Sequence, residues 1–226
     1  MKVKIWMLVV GILLLTCVGC QKREEQIENI VLKHMEGRYG EKFEVVDINY
    51  NKSSGDYEVG LQTEKIKNGY AVKVSYSSDE KIFDNYYARL YCAEVTESFK
   101  EKLDSSVNGY VYTDFKFDVV TPLNTDMTFE EFKIFGGLDS LVTDIKLYCS
   151  AIEEEKMKTL LLDIVSHFES AKCDISVYFV TEEEISDIEL FIRNQYLLYD
   201  DMNLMDDYEY VFKVTKRDGE ISLTEK

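Results

Sequence analysis

Two stretches of the chain, about thirty residues apart, repeat one plan. Asp144-Ile145-Lys146-Leu147-Tyr148 precedes Glu153-Glu154-Glu155 and a segment running to about Ser170. Asp174-Ile175-Ser176-Val177-Tyr178 precedes Glu182-Glu183-Glu184 and a segment running to about Leu198. Each opens with the period-two alternation of a strand and continues with the spacing of a helix. In the first helix, Met157, Leu160, Leu161, Ile164, Val165 and Phe168 form a broad apolar face. Two units are too few for a solenoid, so they read as strand-helix repeats inside a globular fold.

The rest of the chain supplies hairpins and helices. A helix is predicted from about Glu24 to Arg38, with Ile27, Ile30, Val31 and Met35 on one face. Strands follow over Phe43–Tyr50, Tyr57–Thr63 and Tyr70–Tyr76, punctuated by Ser53-Ser54-Gly55-Asp56 and by the hairpin signal Asn68-Gly69. Asp84 is placed to cap a second helix reaching about Leu103, and Val111–Val120 reads as a further strand. Thr128-x-x-Glu131 has the form of a capping box, opening a short helix that Gly136-Gly137 ends. Tyr208–Thr215 and Glu220–Leu223 form a C-terminal hairpin turning at Asp218-Gly219. The expected fold class is therefore α+β: a mainly antiparallel sheet with packed helices in the first half, then βαβα repeats and a hairpin. Pro122, the one proline, suggests a boundary between an N-terminal region 24–121 and an acidic C-terminal region 128–226. One continuous domain is the alternative.

Composition narrows the function classes. Lys and Arg number 26 against 43 Asp and Glu, a net charge of −17, which argues against nucleic-acid binding. The 16 Tyr and 12 Phe, with abundant aliphatics, exceed what a disordered chain carries.

Lys2 and Lys4 precede an uncharged apolar stretch, Ile5–Leu15. Eleven helical residues span roughly 16 Å, about half of a hydrocarbon core of roughly 30 Å, so this is a signal-peptide segment rather than a spanning helix. Gly19-Cys20 follows, and the chain then turns polar at Gln21-Lys22-Arg23. This arrangement resembles the bacterial lipoprotein signal, in which a small residue precedes a lipid-bearing cysteine. Cys17 stands where that family usually has Leu. The resemblance implies cleavage between Gly19 and Cys20, residues 1–19 as signal peptide, and a diacylglyceryl group on Cys20. Residues 20–23 would then be a short lipid-anchored tether on the extracytoplasmic face of the cell membrane. Two acyl chains, at about 0.8 kcal/mol per buried CH₂, anchor stably where one does not. Cleavage would leave 24 basic against 43 acidic residues, net −19.

Cys92, Cys149 and Cys173 alternate or share a helical face with apolar neighbours and read as small core residues. A Cys149–Cys173 disulfide is the other reading, which an oxidising exterior would permit.

The Glu triplets sit behind Ser150-x-x-Glu153 and Thr181-x-x-Glu184, where carboxylates satisfy free backbone N–H groups at helix starts. They read as caps rather than metal ligands. No His-Glu-x-x-His, Gly-x-Gly-x-x-Gly or phosphate-loop motif occurs, so no catalytic residue, resident metal or cofactor is assigned. His34 and His167 flank apolar helix faces.

Charge is uneven: residues 124–226 hold 10 basic and 24 acidic side chains, net −14. Within it, Tyr199, Asp200, Asp201, Met202, Met205, Asp206, Asp207 and Tyr208 combine carboxylates with the aromatic and Met anchors that interfaces favour. They are the candidate surface for a basic protein partner. Loose calcium binding is a second reading, although EF-hand spacing and its glycine are absent. The function expected is a membrane-anchored, non-catalytic binding or accessory lipoprotein, of immunity type for example. An exported carboxylate-dependent enzyme, drawing on acids such as Asp84, Glu94 and Asp114, is the alternative, as is a lipoprotein binding a small molecule or cation.

Overall fold

Alternation in the first half builds a four-stranded antiparallel sheet, in the order β1 (Glu44–Asn51), β2 (Asp56–Gln62), β3 (Val72–Tyr76) and β4 (Ile82–Asp84). The computed structural model describes residues 23–66, 71–77, 79–103, 107–115, 127–135, 142–150, 153–166, 172–193 and 210–225. Val59, Leu61, Val72 and Val74 lie in register on the inner face and are at most 1% exposed. Helix α1 (residues 23–39) covers them with Ile27, Val31 and Met35. Ile30, expected on the same face, is 42% exposed. At 100° per residue it points about 100° away from the centre of the stripe that residues 27, 31 and 35 define. Strand β4 was not visible beforehand, because three residues are too few to show alternation.

Helix α2 (Tyr86–Lys102) then leaves the first sheet for the second. Its cap position is Asn85, and Asn85 uses its side chain elsewhere, accepting the Lys73 N–H at 2.8 Å. Asp84 holds the Tyr86 N–H instead, from one residue further back.

The second sheet has five strands in the order β5 (Gly109–Phe115), β6 (Thr143–Cys149), β7 (Lys172–Phe179), β8 (Phe212–Arg217) and β9 (Glu220–Glu225). The two repeat strands, β6 and β7, pair in parallel, while the other pairs are antiparallel. Parallel neighbours need a crossover of a dozen residues or more, and α4 (Glu154–Ser166) supplies it. A short helix, α3 (Phe129–Phe135), lies between β5 and β6 in the chain, and α5 (Glu182–Arg193) follows β7. The C-terminal hairpin turns through Asp218 and Gly219, both at positive φ (50° and 90°), as a two-residue primed turn requires. The α+β class holds.

Strand β5, read as part of the region before Pro122, belongs to the second sheet. The change of sheet therefore falls along α2, and Pro122 does not mark it. Tyr86, in the first turn of α2, packs in the core of the first sheet, whereas Val95 and Phe99 pack in the core under α4. The first core also takes in Tyr110, Tyr112, Tyr148, Tyr178 and, from α5, Ile188 and Ile192. The two sheets thus share apolar contacts.

All three described cysteines are buried and free. Cys149 lies opposite Phe179, while Cys173 lies opposite Thr143. They occupy opposite ends of neighbouring strands, roughly 20 Å apart at about 3.3 Å per residue, far beyond the 7 Å limit for a disulfide. The Cys149–Cys173 disulfide is thereby excluded. Burial pushes the Cys149 thiol up to about 12 and, as its main cause, the Cys173 thiol up to about 11, in keeping with inert core residues.

Candidate functional site

Period two places residues 144, 146 and 148 of β6 and 174, 176 and 178 of β7 on the face of the second sheet opposite Ile145, Leu147, Ile175 and Val177. Across that face, register aligns Asp114 with Asp144, Asp144 with Asp174, and Asp174 with Thr215. Three carboxylates in one row of neighbouring strands repel unless cations compensate them. Both ends are compensated. Asp114 takes a hydroxyl hydrogen bond from Tyr112 at 2.8 Å and an ion pair from Arg89 of α2 at 3.0 Å. Burial, the largest single influence, works against the charge of Arg89, but Asp114, Tyr112 and Cys92 together outweigh it and hold the guanidinium above its ordinary value.

At the other end Asp174 is 1% exposed and meets Lys213 at 2.9 Å and Arg217 at 2.5 Å. Those cations stand two residues either side of Thr215, the residue opposite Asp174, so both reach it diagonally across the strand pair. Arg217 also donates to the Cys173 carbonyl at 3.0 Å. The row thus carries two electrostatic ties, one joining α2 to β5 and the other joining β7 to β8.

A second buried carboxylate sits where α1, β4 and α2 meet. Asp84 accepts from the Tyr39 hydroxyl at 2.7 Å and the Tyr86 N–H at 3.0 Å, and pairs with Arg38 at 3.4 Å. The Tyr39 and Tyr86 rings pack 4.1 Å apart, and the Tyr87 hydroxyl donates to the Met127 carbonyl at 2.9 Å. Burial, followed by the Glu41 carboxyl, pushes the Tyr86 hydroxyl well above its ordinary value. His34 lies half-buried on α1; burial and then Arg38 hold it below its ordinary value, which favours the neutral imidazole.

The acids named for a carboxylate enzyme stand in three different settings. Asp84 is engaged at the α1–α2 junction, Asp114 is engaged by Arg89, and Glu94 is exposed on α2. Among the described residues no group of three or more His, Cys, Asp or Glu side chains is arranged to hold a metal ion.

The Glu triplets divide. Thr181 and Glu184 form the reciprocal capping box: the Glu184 carboxylate accepts the Thr181 N–H at 2.7 Å, and the Thr181 hydroxyl accepts the Glu184 N–H at 3.2 Å. Thr128 and Glu131 repeat it at α3 with the same distances. Ser150 and Glu153 do not form one. Glu153 itself sits at the start of α4, accepting the Met157 N–H on its carbonyl, and the Ser150 hydroxyl is left buried without a partner. There Glu154 and Glu155, with Glu225 of β9, surround Lys158 at 2.7–3.2 Å.

The boxes make a pH prediction. The Thr181 backbone N–H and then its hydroxyl hold the Glu184 carboxyl below its ordinary value. A carboxyl lowered by folding stabilises the folded state above its unfolded value, about 4.3, and that contribution is lost as pH falls through the folded value. The Thr181 amide proton should accordingly shift with a midpoint below the ordinary Glu value, and Glu184→Gln should abolish the step. A midpoint at or above the ordinary value would contradict the box.

Gly19, Cys20 and the candidate partner residues Tyr199, Asp200, Asp201, Met202, Met205, Asp206, Asp207 and Tyr208 lie outside the described residues. What is described is the helix leading toward the second group. On α5, Glu182, Glu183 and Asp187 are exposed, and Leu190 is 60% exposed. The Asp114–Asp144–Asp174 row was missed by sequence reasoning. Its signal was present, since both repeat units open on Asp, but only register shows that these residues meet.

No family model matches this chain, and no curated protein matches it. Among solved structures, the crystal structure of a DUF5037 family protein from Ruminococcus gnavus resembles it with a TM-score of 0.63. The match covers 88% of this chain and 95% of that one at 14% identity, so the likeness shows a shared fold and nothing finer.

Proposed function

We propose that this chain is a lipid-anchored extracytoplasmic protein whose acidic C-terminal half binds a basic protein partner without catalysis of its own. The membrane anchor rests on the sequence Ile5–Leu15 followed by Gly19-Cys20. The observation that carries the binding role is the exposed edge of α5. Glu182, Glu183, Asp187 and Leu190 point to solvent and lead along the chain to Tyr199–Tyr208. Residues 182–209 hold ten acids and one base, Arg193. Elsewhere the buried Asp84 and Asp174 and the partly exposed Asp114 are engaged by cations and tyrosines that hold the fold, which separates structural charge from charge left for recognition.

Charges act over about 10 Å at roughly 0.1 M salt and about 3 Å at roughly 1 M. Capture of a basic protein by the immobilised chain should hold at the lower salt and fail at the higher. Combining Asp200→Asn, Asp201→Asn, Asp206→Asn and Asp207→Asn should weaken it at low salt. Capture unaffected by both salt and these substitutions would refute the reading.

A further inference from the structure

We infer that the tip of the β1–β2 hairpin, led by Tyr50, seats on the lipid surface that the Cys20 acyl chains enter. This rests on the lipid-anchor reading and adds to it an orientation and a second contact.

The tether has a short reach. Helix α1 starts at residue 23, and the three residues from Cys20 to Arg23 span at most about 11 Å. The first turn of α1 is therefore held near the headgroups. That turn also lies against the hairpin, because the Arg23 guanidinium stands 5.5 Å from the centre of the Tyr57 ring. Tyr57 is the register partner of Tyr50, and their rings are 4.9 Å apart. Whatever holds Arg23 at the membrane brings Tyr50 with it.

Tyr50 suits such a place. It is 49% exposed, although it lies on a strand face whose neighbour Tyr57 is buried. A ring with one apolar body and one polar end is favoured at the level of lipid headgroups. The tip beyond it is firmly built. The Asn51 side chain accepts the Ser53 N–H at 2.9 Å, and Gly55, at φ 79°, donates its N–H to the Asn51 carbonyl at 2.8 Å. Lys52 is exposed at this tip, and its aliphatic stem can lie along the interface with the ammonium in water. Arg23 and Lys52 are offset here by Glu24 and Asp56, so the contact depends on the aromatic and on tethering, not on anionic lipid.

The sequence offers a clean reporter. The one tryptophan, Trp6, lies in the leader, so the cleaved lipoprotein carries none. The full-length gene is expressed with Tyr50→Trp or, as control, Lys42→Trp. Lys42 is 89% exposed, and seven strand residues, roughly 23 Å, separate the β1 end beside it from Asn51. Each lipidated protein is extracted from membranes and placed in phosphatidylcholine vesicles with plain or brominated acyl chains. The Tyr50→Trp emission should lie to the blue of the Lys42→Trp emission in plain vesicles and fall in brominated ones, at both low and high salt, with the Lys42→Trp intensity unchanged by bromination. Vesicle-bound protein whose Tyr50→Trp emission is unaffected, or is quenched no more than that of Lys42→Trp, overturns the docking while leaving the anchor intact. Tryptophan emission from the unsubstituted protein would show a retained leader and overturn both.

Discussion

Asp174→Ala should destabilise the protein by about 3 kcal/mol, because it removes the single carboxylate that two cations share inside the second sheet. Breaking a buried pair costs about 3–5 kcal/mol when the abandoned charge has nowhere to go. Here Lys213 and Arg217 are 24% and 38% exposed and can turn toward water, which places the loss at the lower end. The urea midpoint of the purified protein measures it. Asp174→Asn should recover part of the loss, since the amide oxygen still accepts from Lys213 or Arg217. A change within about 0.5 kcal/mol for the alanine variant, the size of an ordinary surface substitution, would mean that the row does not hold the strands together.

Phe99→Ala should cost about 3–5 kcal/mol, the range for removing a buried phenylalanine. Phe99 is fully buried among Val95, Val111, Ile145 and Leu147, three turns along the helix whose first residue, Tyr86, is buried in the other core. Because α2 belongs to both cores, unfolding should remain a single transition at a lower midpoint. Probes placed in each sheet should report the same curve. Two separated transitions in Phe99→Ala would show that the sheets unfold independently and that α2 does not couple them.

The features legible in the sequence were those that short-range chemistry determines. Asp218-Gly219 accepts positive φ at both positions, and the hairpin is there. Thr128–Glu131 and Thr181–Glu184 each bond within four residues, and both boxes form. The apparent box at Ser150–Glu153 fails because α4 starts at Glu154, so Glu153 takes the position that Ser150 would need. What stayed hidden depends on register, which joins residues far apart in the chain. Nothing local places β5 beside β6 or makes β6 and β7 parallel. Nothing local brings Lys213 and Arg217 to an aspartate about forty residues earlier. The Asp row is visible as two similar pentapeptides, yet its meaning as a tie appears only once Thr215 is seen opposite Asp174. The candidate recognition stretch is legible as composition alone, since Tyr199–Tyr208 lies outside the described residues.

The most direct test of the account is the mass of the N-terminal peptide from protein purified out of membranes. A peptide beginning at Cys20 and carrying a diacylglyceryl group is expected, and Cys20→Ser should abolish that modification. A peptide beginning at Met1, or one containing unmodified Cys20, would contradict it.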